Sequence, residues 1–241
     1  MVSFGLYNIE GNPNLTFIFF IALTILTVIG LRFAYYAYRN RTATSIGTQV
    51  PIWNHLLYAG ALTTVFGVAG ILEIVSSLQF PYKRVALLGA TLWFAFAIRQ
   101  IHATATSADG GGSRARPLER VARVAFVVVV VVLAALLVQS GQSTLTAAVE
   151  SISAIAFLGY GVVFYQGQVS NTRLQGTMLD SLLRHLLPVL MFAALTSIVN
   201  LAIPFGLDRI VVLHVEVVFI IMTATALMTG TIKLRQNLAS L

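Results

Sequence analysis

Cysteine is absent from the 241-residue chain, which excludes disulfides, thiolate catalysis and cysteine-held metals or clusters. Charge is nearly as scarce. Asp, Glu, Lys and Arg together make up 10% of the residues, against about a quarter in an ordinary soluble domain. The only two lysines, Lys83 and Lys233, fall at the ends of apolar runs and not within them. The connections between those runs are short, so little chain is left for a soluble catalytic or signalling domain.

What is present is apolar. Hydrophobic residues make up 58% of the chain, and mean hydropathy is +0.88. They fall in runs long enough to cross a hydrocarbon layer, a span needing about 20 residues. Seven such runs are read: Leu15 to Tyr38, Ile52 to Leu78, Tyr82 to Ile101, Val121 to Gln139, Thr144 to Tyr165, Leu182 to Ile203 and Leu207 to Ile232. The expected fold is an all-α polytopic membrane protein, one seven-transmembrane-helix bundle over residues 1–241. The segment before the first run, Asn8 to Asn14, is polar and has neither a basic start nor a small-residue cleavage site. That run is therefore expected to be a mature helix and not a signal peptide. Pro51, Pro81, Pro117 and Pro204 sit at or just outside span ends, whereas Pro188 lies inside the sixth span and is expected to bend it.

Orientation follows from Lys and Arg near the span ends. One side receives Arg32, Arg39, Arg41, Arg99, Arg114, Arg116, Arg120, Arg123, Arg173, Arg184, Lys233 and Arg235, twelve in all, and the other only Lys83, Arg84 and Arg209. The basic side is read as cytoplasmic, which places the N-terminus outside and the C-terminus inside a multi-pass plasma-membrane protein. The net charge of +7 is accounted for by these flanks, so no nucleic-acid partner is expected. The longest connection joins a glycine run, Asp109 to Ser113, to the arginines at 114–123. Those arginines are read against anionic lipid headgroups, with a docked partner as the alternative. The fourth span is nearly pure valine and leucine and is expected to face lipid or to link two halves. Asn54-His55-Leu56-Leu57 and Arg184-His185-Leu186-Leu187 hint at a three-plus-one-plus-three duplication of the kind some transporters have.

Ionisable groups inside a membrane are costly and are therefore candidates for function. Glu73, Glu150, His214 and Glu216 qualify, and Asn200 lies at similar depth. The topology brings all five to the outer half, on four different spans, and two readings stand side by side. They form a cluster that binds a proton, a cation or a cationic ligand, or they make structural polar contacts, with Arg84 or Arg209 neutralising the acids. His214 and Glu216 are two residues apart, about 200° round a helix, so only one of them faces any given interior point. His55, His102 and His185 share the inner level. Headgroup contact is read for them ahead of a metal or haem site, and no cofactor is expected. Small residues in the second span (Ala59, Gly60, Thr63, Thr64, Gly67, Gly70) predict close helix contact.

Length, span count and orientation resemble the microbial rhodopsins. Leu213-His214-Val215-Glu216 stands where that family carries an acid four residues before its retinal lysine, and Pro188 parallels a proline of its sixth helix. The lysine position would be Ile220, and the family's arginine and acids along the third helix are missing from Val85 to Ile98. The resemblance implies an opsin-like layout without a retinal Schiff base.

No nucleophile motif or metal set appears, so an enzyme is not expected. The leading expectation is a ligand- or ion-sensing or signalling protein with a closed cavity lined by spans 2, 5, 6 and 7. A proton-coupled or small-solute transporter and an accessory subunit of a larger membrane complex are the alternatives. The expected partners are the lipid bilayer, a small ligand or cation, and a second copy or another membrane protein.

Overall fold

A computed structural model describes residues 7–44, 47, 49–76, 78–106, 116–140, 143–169 and 177–240. The described regular structure is helical. The long helices are α1 (Pro13–Ala43), α2 (Val50–Val75), α3 (Lys83–Thr106), α4 (Arg116–Ser140), α5 (Thr144–Val169), α6 (Met178–Ile198) and α7 (Arg209–Ser240). A single 3-10 turn, Val199–Ala202, continues α6. Six of them, all but α4, are long and apolar enough to cross a membrane. In α4 the corresponding apolar stretch among the described residues is Val127–Leu137. The glycine loop at 107–113, Arg114 and Arg173 lie outside the described residues.

Local chemistry sets where the helices start. The Asn12 side chain accepts from the Leu15 N–H at 3.1 Å, and Pro13 occupies the first turn, where a missing N–H costs nothing. The N–H of Ser143 donates to Thr146 Oγ1 at 2.8 Å, and the N–H of Thr146 returns to Ser143 Oγ at 3.3 Å, a reciprocal cap on α5. Asp208 Oδ1 accepts from the Ile210 N–H at 2.7 Å and starts α7. Within the helices, hydroxyls turn back on their own backbone: Thr63, Thr91, Thr196, Thr223 and Thr231 each donate to the carbonyl four residues earlier. No polar hydrogen of theirs is left facing hydrocarbon. The helix α6 runs on through Pro188.

Consecutive helices run antiparallel. The upper end of the bundle is the end at which the odd-numbered helices begin. The helix α3 is central and packs against α2, α4, α5 and α6. It is buried nearly all round from Ala86 to Ile98, as a helix apolar on every face should be. The helices α1 and α2 meet at the small residues expected for close contact: a Cβ on Gly60 would stand 2.9 Å from the Ala34 backbone nitrogen. At the lower end Asn40, fully buried, ties α1 to α7 by donating to the Leu234 carbonyl at 2.9 Å. The helix α4 is peripheral, packs on α5 and α3, and leaves Val124, Val128 and Val131 exposed.

Arg99 departs from its expected place on the basic flank. It is buried within α3, 7% exposed, at the lower limit of the stretch over which that helix is enclosed.

Candidate functional site

At the upper end, three elements converge on one guanidinium. Arg84 lies one residue inside the start of α3. Its Nη1 donates to Glu150 Oε2 on α5 at 3.1 Å, and its Nη2 donates to Asn200 Oδ1, in the turn after α6, at 3.3 Å. Glu150 and Asn200 are 3% and 4% exposed, so this ion pair is shielded from bulk water and its charges are felt strongly. The Asn200 amide is held by its own donation to the Thr196 carbonyl at 3.2 Å. Beneath the pair, Ser151 Oγ donates to the Ser197 carbonyl at 3.2 Å and fastens α5 to α6. The Ser197 hydroxyl sits beside the Glu150 carboxylate without hydrogen-bond geometry. Among the described residues the buried Nε of Arg84 finds no acceptor.

These groups form one wall of a cavity of about 240 Å³. Ser143, Thr144 and Thr146 line it from α5, Ile203 and Pro204 from the connection after α6, and Arg209 and Leu213 from α7. The floor is apolar. One helical turn below Arg84 and Glu150 stand Leu88 and Ala154, both buried in a cluster with Leu92, Phe96, Leu133, Leu137, Phe157 and Ala194.

Of the five residues singled out in the sequence, Glu150 and Asn200 are brought together, through Arg84. The other three are not part of this contact. Glu73 accepts from the Phe80 N–H at 2.8 Å and pairs with Lys83, closing the α2–α3 turn. His214 is exposed, its Nδ1 2.7 Å from the Ile210 carbonyl. Glu216 is half-buried on the other side of α7, in the field of Arg84, Lys83 and Arg209. The expected lining by spans 2, 5, 6 and 7 is therefore corrected. α3 takes the place of α2, because Lys83 and the turn backbone hold the Glu73 carboxylate away from the cavity.

Arg209 pairs with Glu10 at 3.0 Å. Glu10 belongs to a short segment folded over the upper end, where the N–H of Tyr7 donates to the Ile74 carbonyl at 2.9 Å and the N–H of Ile9 to Thr16 Oγ1 at 2.8 Å. Glu10 and Gly11 both have positive φ, 49° and 69°, so the reversal is sharp and the glycine suits it.

Among the described residues no group of three or more His, Asp or Glu side chains is placed to hold a metal. His55 and His102 instead pack on aromatic rings, His55 against Trp93 at 5.2 Å and His102 against Phe164 at 5.4 Å. Ile220, at the position a retinal lysine would take, is 1% exposed and packed among Leu15, Phe19 and Val217.

No protein-family model, curated protein or solved structure matches the chain.

Proposed function

We propose that the chain is a non-enzymatic, seven-span sensor of a small polar solute, with an opsin-like layout, no retinal, and the upper end of the bundle facing outward. Two features of the sequence favour that orientation and count: the twelve-to-three excess of Lys and Arg on the opposite side, and the valine-rich α4, read as the seventh span. The observation that carries the proposal is the Arg84–Glu150 pair beside a cavity. The pair bridges α3 and α5 in a shielded place, and such a pair contributes little net stability. Its value is as a contact that a ligand can exchange.

The charge balance points to the class of ligand. Glu150 is already neutralised by Arg84, and Arg209 stands at the rim, so a free cation finds no spare carboxylate among the lining residues. A solute carrying a carboxylate or similar anion competes with Glu150 for the guanidinium, whose planar fork suits that geometry. Thr144 lines the same cavity and brings a hydroxyl to its remaining polar atoms. Displaced from Arg84, Glu150 no longer ties α5 to α3, and the two helices are free to shift. The apolar cluster of Leu88, Leu92, Phe96, Phe157 and Ala194 beneath the cavity favours sensing over transport.

The test is a thermal-shift screen of small mono- and dicarboxylates and amino acids on the purified chain. A ligand for this site raises the melting temperature of the wild type and not of Arg84→Gln, and is not accumulated by proteoliposomes. Accumulation against a gradient overturns the sensing reading. A panel in which every shift survives Arg84→Gln overturns the site.

A further inference from the structure

A second cavity, of about 250 Å³, lies in the lower half between α1 and α7. Ile29, Arg32 and Tyr36 line it from α1, and Met228, Thr231, Ile232 and Arg235 from α7. Both arginines are exposed. Among the described residues neither makes a hydrogen bond or an ion pair, whereas Arg39, Arg84, Arg184 and Arg209 all find side-chain partners.

The position of Arg32 makes that lack of a partner costly. It lies about 26 Å along α1 from Leu15, at about 1.5 Å per residue, still within a hydrocarbon layer about 30 Å thick. A guanidinium at that depth on an outer face needs a counter-charge or a route to the headgroups. Among the described residues no counter-charge is placed there. The helix α1 has no acidic residue, and the only one on α7, Glu216, lies in its upper half. On the neighbouring helices, Glu73 is engaged by Lys83 at the upper end of α2, and Asp180 at the lower end of α6 is taken by Arg184 at 3.1 Å. The rest of the groove is largely apolar: Ile29 and Met228 lie toward the middle of the bundle, Ile232 lies on α7 between the levels of the two arginines, and the Thr231 hydroxyl is spent on the Leu227 carbonyl. A cationic lower rim with an apolar slot above it is complementary to one molecule in particular, an anionic phospholipid with its phosphate at the rim and an acyl chain in the slot.

We infer that the α1–α7 groove is a binding site for an anionic phospholipid, held by Arg32 and Arg235 at the phosphate and by Ile29, Met228 and Ile232 along the chain. The site is separate from the upper cavity and does not rest on the sensing proposal. Asn40 and Leu234, at its lower end, already lock the two helices together, so the groove is part of a fixed seam.

The experiment uses the full chain in detergent, with native mass spectrometry counting bound lipid and thermal unfolding as a second readout. The probes are phosphatidylglycerol, phosphatidylcholine and glycerol 3-phosphate. The expected result is retention of phosphatidylglycerol over phosphatidylcholine by the wild type and by Arg39→Gln, with a rise in melting temperature of a few degrees. That preference falls several-fold in Arg32→Gln and in Arg235→Gln, and is lost in the double variant. Glycerol 3-phosphate, which lacks the chains, gives no shift at the same concentration. Should the double variant be too unstable to purify, the single variants decide by mass, since a lipid count does not depend on melting temperature. Undiminished phosphatidylglycerol retention in both single variants overturns the assignment. An equal shift from glycerol 3-phosphate overturns the lipid as its occupant.

Discussion

Removing one partner of the Arg84–Glu150 pair should be far worse than removing both. The Glu150 side chain is 4% exposed and that of Arg84 19%, so neither charge is fully solvated if its partner goes. Glu150→Leu strands a guanidinium that keeps only Asn200, and Arg84→Met strands a carboxylate in the apolar cluster above Leu88 and Ala154. Breaking a buried pair from one side costs about 3–5 kcal/mol. Arg84 is not fully enclosed, so its stranded charge is partly rescued by solvent, and Glu150→Leu should cost about 2–3 kcal/mol, below the cost of Arg84→Met. The double variant removes both charges and their desolvation, and should lie within about 1 kcal/mol of the wild type. A double-mutant cycle measured by denaturant unfolding in a fixed detergent should then give a coupling of several kcal/mol. Additive single effects, or single variants each within about 0.5 kcal/mol of the wild type, would refute the claim that this is a shielded, mutually dependent pair.

Other outcomes follow from the packing and the termini. Gly60→Val should destabilise by about 1–3 kcal/mol, because its Cβ would meet the Ala34 backbone, which cannot move aside as a side chain can; thermal unfolding measures it. Asn40→Leu should cost about 1–3 kcal/mol, since it removes the side-chain donor to the buried Leu234 carbonyl and an acceptor of the half-buried Asn237 amide. Cysteines at Ser107 and Ser113 should resist membrane-impermeant thiol reagents in intact cells, whereas one at Tyr82 should label rapidly; the native chain has no cysteine to confuse the readout. Retinal added to the purified protein should leave no reducible lysine adduct within a helix, as peptide mass spectrometry would show.

Much of the fold is legible in the sequence, because hydrophobic run length and proline placement are local signals. The runs that begin or end near Pro51, Pro81 and Pro204 correspond to described helices, and the small residues of the second run lie at the α1–α2 contact. The candidate site is legible only in part. Depth is a one-dimensional property, so Glu150 and Asn200 were recognisable as a shared level. Rotation about a helix axis and the choice of partner are three-dimensional, and here the reading from sequence falls short. Glu73 lies at the right depth but is taken by Lys83 in the adjacent turn, and His214 lies at the right depth but on the outer face. Arg84 and Arg99 both look like flanking cations. Their burial comes from α3 being the central helix, and the near-absence of polar residues on every face from Val85 to Ile98 is the signal that would have found it. Asn40 carried no such signal, sitting as it does among Arg39, Arg41 and other flanking polar residues.

The central claim is that Glu150 holds α5 to α3 through Arg84 and that a competing anion releases it. Spin labels on cysteines at Tyr82 and Leu145, both exposed beside the pair at 52% and 56%, report the separation of the two helices at the upper end. Glu150→Gln imitates the displaced state by removing the carboxylate charge while keeping the side chain's size. The account predicts one narrow distance distribution for the wild type and a shifted or broadened one for Glu150→Gln, reproduced in the wild type by whichever anion emerges from the thermal-shift screen. Superimposable distributions for the wild type and Glu150→Gln would contradict it.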